Sequence, residues 1–319
     1  MNRRDFVKSA SLLIAALSSP ALFAQSGPTK MLVGASPGGG TDFLARTLSK
    51  ALSESLSRDF IVENRPGAAG NIAALEVARA NPDGSTLLLA YTSHAINATL
   101  YPNLSFNPET DFTPICGVAR SPAFLLLSPK LKINTLAEFL ALARAKPGEL
   151  NLAIGGLGSA SHLAGSILQQ KAGIKLEAVP YKGASPAMTD VAAGHVDATI
   201  AAVAGASQQV RDGMLIPIGV TSEQRLSAFP DVPPIAETFP GYESSAWFGL
   251  FGPAGMSPAD VKKLSDAVLA VLDSAEFKKR LEISSMVPMG MSSSAFAKYV
   301  SAEIVKWGDV IKSTGIKLA

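Results

Sequence analysis

The chain has 319 residues, 47% hydrophobic and 17% charged, with 28 Lys and Arg against 26 Asp and Glu. That length exceeds what one hydrophobic core ordinarily serves, so two domains are the default expectation. The near balance of charge, with no run of Lys or Arg longer than three beyond Lys8, argues against the basic stripe of a nucleic-acid binder.

Residues 1–24 differ from the rest. Arg3, Arg4 and Lys8 precede the apolar stretch Leu12–Leu17, and Ala21-Leu22-Phe23-Ala24 stands before Gln25, which predicts an export signal cleaved near Ala24. Asn2-Arg3-Arg4-Asp5-Phe6-Val7-Lys8 has the pattern of a twin-arginine signal, and an ordinary secretory leader also needs this charge; either route leads out of the cytoplasm to the periplasm. Removing the leader's three basic residues and one acidic residue leaves 25 of each sign, so the mature chain is neutral. No other stretch reaches the roughly 18 apolar residues of a membrane span. Cys116 is the single cysteine, which precludes an internal disulfide and reads as a small buried hydrophobe before a reactive thiol.

In the mature chain, short apolar runs alternate with segments of helical period, the pattern of an α/β protein with largely parallel strands. Strands are expected at Met31–Val33, Phe60–Val62 and Thr86–Tyr91. Between them lie a helix from Asp42 with Ala45, Leu48, Leu52 and Leu56 on one face, and a helix ending near Ala80. A second series follows: strands at Phe124–Leu127, Asn151–Ile154, Leu176–Val179, Ala198–Ala202 and Ile216–Val220, and helices over Leu136–Ala145, Ser161–Lys171 and Pro186–Ala193. Four prolines within residues 229–240 mark a connecting loop before a strand at Trp247–Phe251. Three helices in a row close the chain. One carries Val261, Leu264, Val268 and Val271 on a single face, another Phe296, Val300, Ile304, Trp307 and Ile311. Too few to form a domain, they are expected to pack back on the first sheet, so that residues 25–125 and 245–319 make one domain and 126–244 the other.

Two glycine-rich turns carry the chemistry. Gly38-Gly39-Gly40-Thr41-Asp42 and Gly156-Leu157-Gly158-Ser159-Ala160 each follow a strand and open a helix. Glycine lets a ligand approach the backbone, the hydroxyl is a donor, and the first helical N–H groups attract an anion. One such loop could simply tighten a turn; two, one per domain, suggest a cleft for a small anion. Gly34-Ala35-Ser36-Pro37-Gly38 fits G-x-S-x-G only by accident, because Pro37 lacks the N–H that an oxyanion hole needs. Phosphate-loop and dinucleotide fingerprints are absent. His94, His162 and His195 lie in no ligand-spaced motif, so no metal or cofactor is expected. His195 reads as an exposed turn residue; His162 is open between a cap, a core histidine and a ligand contact.

Pro37-Gly38-Gly39-Gly40-Thr41-Asp42, Glu63-Asn64-Arg65-Pro66-Gly67-Ala68-Ala69-Gly70, Asn81-Pro82-Asp83-Gly84, Gly158-Ser159-Ala160-Ser161-His162-Leu163, Val179-Pro180-Tyr181-Lys182-Gly183, Val220-Thr221-Ser222 and Gly252-Pro253-Ala254-Gly255 occur in order. In them the chain resembles the Bug (TctC-type) family of extracytoplasmic solute-binding proteins, which serve tripartite tricarboxylate transporters. Ala69 stands where that family often has glycine, and Met256-Ser257-Pro258 replaces a usual Thr-Pro.

The resemblance implies a periplasmic-binding-protein-like fold: two α/β domains joined by crossing strands that close on a ligand like a Venus flytrap. It further implies a receptor, not an enzyme, which holds an organic acid by backbone amides and waters of both glycine loops and presents it to membrane transporter subunits; a monomer is expected because an opening cleft leaves little surface for a large permanent interface. Carried over, Pro37, Gly38, Gly39, Gly40, Thr41 and Asp42 form one clamp and Gly158, Ser159, Ala160, Ser161 and His162 the other. Asp42 would cap its helix and shape the loop, since a free carboxylate would repel the ligand. Ser93 and the segment Tyr181, Gly183, Ala184 and Ser185 sit where strand-to-helix loops face a cleft and would contact the ligand's far end. Trp247 and Phe248 read as hinge packing. The competing readings are a receptor that reports to a sensor and an exported hydrolase.

Overall fold

The computed structural model describes residues 27–157, 159–181 and 183–315. The expected leader and its cleavage site near Ala24, together with Gly158 and Lys182, lie outside the described residues. Two mixed sheets organise the chain. In chain order the first contains β1 (Thr29–Val33), β2 (Phe60–Asn64), β3 (Thr86–Tyr91), β4 (Phe112–Ser121), β10 (Ala246–Pro253) and β11 (Val287–Met291), arranged 11-4-10-3-1-2. The second contains β5 (Ala123–Leu127), β6 (Asn151–Ile154), β7 (Glu177–Pro180), β8 (Ala198–Ala202) and β9 (Ile216–Val220), arranged 7-6-8-5-9.

The expectation of largely parallel strands needs correction. β1 pairs in parallel with β2 and β3, and β6 with β7 and β8, but β10 runs antiparallel to β3 and β4, β11 to β4, and β5 to β8 and β9. Direction of entry explains this. Only Pro122 separates β4 from β5, so β5 starts at the edge where the chain crosses between sheets, with Ala123 opposite Ala202 at the end of β8. β10 likewise starts beside the crossing, with Ala246 opposite Ser121. A strand beginning at the edge where its neighbours end must run against them. The C-terminal ends of β1, β3, β6 and β8 therefore lie along the crossing edges, and a crossing this short makes those two edges face each other.

Helices cover both faces, so the central strands are buried on both sides and read as unbroken apolar runs. Met31 and Val33 point toward α1 (Gly40–Leu56), α8 (Pro258–Asp273) and α9 (Ala275–Ile283), where Leu44, Leu48, Val268 and Leu281 are buried. Leu32 and Leu88 point the other way, toward α2 (Asn71–Ala78), α3 (Ser93–Leu100) and α10 (Ser293–Thr314). That second cluster continues into the other lobe through Leu125, Leu152 and Leu163, with α4 (Leu136–Ala145) and α5 (Ala160–Ala172). Phe124, Leu126 and Ala153 pack on α6 (Ala184–Ala193) and α7 (Val203–Arg211). The last three helices do pack on the first sheet, but β11 interrupts them; its Pro288 and Gly290 hide the strand pattern, as suits an edge. Residues 229–240 are irregular except for a 3-10 turn at Ile235–Glu237. Cys116, Phe296 and Trp307 are buried.

His94 belongs to this core. Its ring lies among Phe106, Phe112 and Phe251, with Nε2 2.9 Å from the Pro108 carbonyl, and burial pushes the imidazole down to about 4. The unfolded chain therefore binds a proton in the window between about pH 6.5 and 4 that the folded chain does not, and stability falls as pH drops through it. A loss of ~3 kcal/mol across the window is expected from a shift of this size. His94→Gln, which keeps a donor for Pro108 and does not titrate, removes that slope in urea unfolding measured from pH 7 to pH 4.

Candidate functional site

The first glycine loop is built from the end of β1. Helix α1 starts at Gly40, two residues before the expected Asp42, with Gly39 as its N-cap and no side chain capping the first turn. Pro37, Gly38, Gly39 and Gly40 are exposed and Thr41 half-buried. Gly38 is left-handed at φ +84°, a conformation that favours glycine.

Asp42 sits beneath them, 4% exposed. Its Oδ2 accepts the Gly38 N–H at 2.9 Å and Arg46 Nε at 3.0 Å, and its Oδ1 accepts Asn64 Nδ2 at 2.9 Å. Asn64 Nδ2 also donates to the Ala35 carbonyl at 3.0 Å, tying the loop to β2. The Arg46 hydrogen bond, helped by those of Gly38 and Asn64, holds the carboxyl down at about 2 against the opposing effect of burial. Its charge is thus neutralised within the lobe, and it shapes the loop but does not cap α1 as expected, because Gly39 is the N-cap and Asp42 turns back to the Gly38 N–H. Asp42→Asn is expected to destabilise the fold by ~2 kcal/mol at pH 7. The stabilisation from a lowered carboxyl is complete above its unfolded value near 4 and is lost as pH falls toward 2, so the gap to wild type in urea unfolding should narrow at pH 3.

The second loop leaves β6. Ser159 is the N-cap of α5, its Oγ accepting the His162 N–H at 3.3 Å, and it lies 3.0 Å from Ser161 Oγ. Ser161 Oγ accepts the Gly155 N–H at 2.9 Å. Both hydroxyls therefore shape the loop. Ala160 is exposed, while His162 is half-buried and its imidazole is pushed below its ordinary value by that burial. Gly158 lies outside the described residues.

Beside this loop runs the turn from β7 into α6. A Cβ on Gly155 would lie 3.5 Å from Ala184 N, so the two turns touch. Gly183, at φ +114°, caps α6 without any side-chain bond, and Ala184 and Ser185 are exposed on its first turn. Tyr181 turns its hydroxyl to Asp190 Oδ2 at 2.7 Å, so that group is engaged within the lobe. Ser93 is similar: it opens α3 and donates to the Ala69 carbonyl at 2.7 Å.

Sequence reasoning missed the supports. Residues 65–70, at the end of β2, lie directly against Gly34, and Arg46, Asn64 and Asn97 hold the loops from behind. The signal present was Gly67 and Gly70 bracketing a turn; the side-chain partners come from distant segments. Trp247 is buried at the start of β10 and its N–H donates to Thr92 Oγ1 at 2.8 Å, which fits hinge packing. His195 is exposed, 3.6 Å from Asp190. A groove of about 690 Å³ opens between α1, α8 and α9, with Arg46, the partner of Asp42, in its wall. Its charged side chains already pair, Lys50 with Glu54 and Arg280 with Glu276, which makes it the weaker site for an anion.

Strand ends in both sheets thus run through glycine turns into helices, and the first N–H groups of a helix have no partner inside it. The family model described as the tripartite tricarboxylate transporter family receptor matches residues 44–316. Protein BugT of Bordetella pertussis is 33% identical over 294 residues, covering 91% of this chain and 90% of that protein. An R. palustris protein solved with adipate superposes with a TM-score of 0.76 at 34% identity, over 92% of this chain and 98% of its own. MatC from Rhodopseudomonas palustris, solved with bound malate, gives 0.71 at 31% identity, over 89% and 98%. The chain belongs to the TctC family, the solute-binding receptors of tripartite tricarboxylate transporters.

Proposed function

We propose that this protein is a periplasmic receptor that captures a small organic acid by its carboxylate between two lobes, residues 25–125 with 245–319 and residues 126–244, and delivers it to the membrane subunits of a tripartite tricarboxylate-type transporter. The observation that carries this reading is the pair of uncapped helix starts at Gly39 and Gly183, on opposite lobes and beside the two glycine turns. The mature chain works as a monomer, without metal, cofactor or turnover. The adipate and malate in the two solved relatives support a carboxylate as the recognised group.

In this mechanism the acid settles on the N–H groups of residues 39–41, and the second lobe closes over it with residues 159–162 and 183–185. Asp42, already paired with Arg46, adds no repulsion. Contacts made by both lobes at once favour the closed arrangement, and the transporter reads that surface. The test is a thermal-shift screen of residues 25–319 against carboxylates, amino acids and neutral amides, with bound compounds recovered by mass spectrometry. An acid at a hundredfold excess over its dissociation constant should stabilise the fold by about 2.7 kcal/mol and be recovered unchanged. A converted product would make the protein an enzyme; shifts from amides alone would overturn the carboxylate.

A further inference from the structure

Beneath the first glycine loop lies a cavity of about 10 Å³, bounded by Gly34, Gly70, Tyr91 and the amides of Asn71 and Asn97, with apolar walls at Ala74 and Leu88. Asn97, 1% exposed, directs its Nδ2 to the Ala69 carbonyl at 3.2 Å and to Asn71 Oδ1 at 2.7 Å. This arrangement leaves Asn97 Oδ1, an acceptor, and Asn71 Nδ2, a donor, both buried and without a protein partner. A buried acceptor and donor on one small cavity are complementary to a single molecule that both donates and accepts. A cavity of roughly 10–15 Å³ is the least that holds one water.

Above this cavity the backbone is strained. Gly67, Ala68, Ala69 and Gly70 have consecutive positive φ values of 131°, 47°, 53° and 94°. Ala68 and Ala69 are not glycine, and such a conformation persists only where its surroundings over-determine it. Ser93 and Asn97 both grip the Ala69 carbonyl, and the Tyr91 hydroxyl donates to the Gly34 carbonyl at 3.3 Å while packing on Gly70. Gly34 and Gly70 meet backbone to backbone. The strained turn is thus the floor on which the first glycine loop starts.

We propose that one ordered water binds between Asn71 Nδ2 and Asn97 Oδ1, and that Asn97 is the positioning residue which, through this water and the Ala69 carbonyl, sets the backbone of residues 34–42. The water accepts from Asn71, donates to Asn97, and has the Tyr91 oxygen within the same cavity wall. This stands whether or not the acid-binding reading holds, because it concerns the ligand-free loop.

A high-resolution crystal structure of residues 25–319 tests the site: a water within hydrogen-bond distance of both amide atoms is expected. Asn97 Oδ1 accepting directly from Asn71 Nδ2, or both atoms left without a water, would overturn it. Hydrogen exchange tests the positioning. In Asn97→Leu, amides of residues 34–42 and 67–71 should exchange faster by on the order of tenfold, while those of β5, in the other lobe, keep wild-type rates. Equal acceleration in both regions, or none at residues 34–42, would make Asn97 an ordinary core residue. Asn71→Asp, which keeps the oxygen that accepts from Asn97 and removes the Nδ2 donor, should reproduce the local effect.

Discussion

Glu303→Ala is expected to destabilise the protein by ~3–5 kcal/mol, measured by urea unfolding at pH 7. Glu303 lies on α10, 5% exposed, and its Oε2 accepts Trp247 Nε1 at 3.0 Å and Trp307 Nε1 at 2.8 Å. Its Oε1 accepts Lys306 Nζ at 2.7 Å, which supplies the compensating charge. Both indoles are buried, so removing the carboxylate leaves two donors without an acceptor and opens space around them. Glu303→Gln retains an acceptor and loses only the charge, and should cost about 1–2 kcal/mol. The position matters because Trp247 opens the strand by which the chain returns from the second lobe. Equal losses for the two variants would show that charge, and not the pair of indole donors, carries the effect.

Gly34→Ala is expected to weaken acid binding about a hundredfold, through loss of two charge-assisted hydrogen bonds at the displaced loop. An alanine Cβ at Gly34 would lie 2.4 Å from Gly70 Cα, a backbone atom that cannot turn aside. Gly70 is itself held by Tyr91 and by the grip on Ala69, so the first loop must lift. Overpacking of this kind destabilises by about 1–3 kcal/mol as well. Gly39→Ala is the control: its φ is −83°, and the nearest atom to an added Cβ is Ser36 O at 3.8 Å. That variant should fold with wild-type stability, so a loss of affinity in it reports crowding of the ligand itself. Calorimetric titration with the acid giving the largest thermal shift separates the two, and undiminished binding by Gly34→Ala would show that the first loop is no clamp.

The sequence was most legible where one physical signal dominated. β3, β6, β8 and β9 are short apolar runs between turn residues, and α4 has a Thr135/Glu138 capping box and a regular apolar stripe; the structure has all five at their expected bounds. β4 escaped because Pro114 and Gly117 interrupt it and its pairing with β10 shifts register twice. α3 and α7 escaped for another reason. Each starts at the end of a strand almost without a loop, in short segments of mixed polarity such as Ser93–Leu100 and Val203–Arg211. At 8 and 9 residues they are too short for an apolar stripe to repeat.

The loops of the proposed clamp were legible in the same uneven way. Glycine beside a hydroxyl at a strand-to-helix junction is a local pattern, and Gly38 to Asp42 and Ser159 to His162 stand at such junctions. What those side chains do was not legible. Ser93 and Tyr181 lie by the cleft edge yet bond inward to Ala69 and Asp190, because partners distant in sequence reach them first. Asn64, Arg46 and Asn97 gave no local sign of their role, which arises only when β2, α1 and α3 come together.

The most direct measurement is a crystal structure of residues 25–319 with the acid that gives the largest thermal shift. The account predicts one carboxylate within hydrogen-bond distance of backbone N–H groups at residues 39–41 and of the 159–162 segment, with both lobes closed on it. Density for the acid in the groove between α1 and α9, or on one lobe alone with the other swung away, would contradict it.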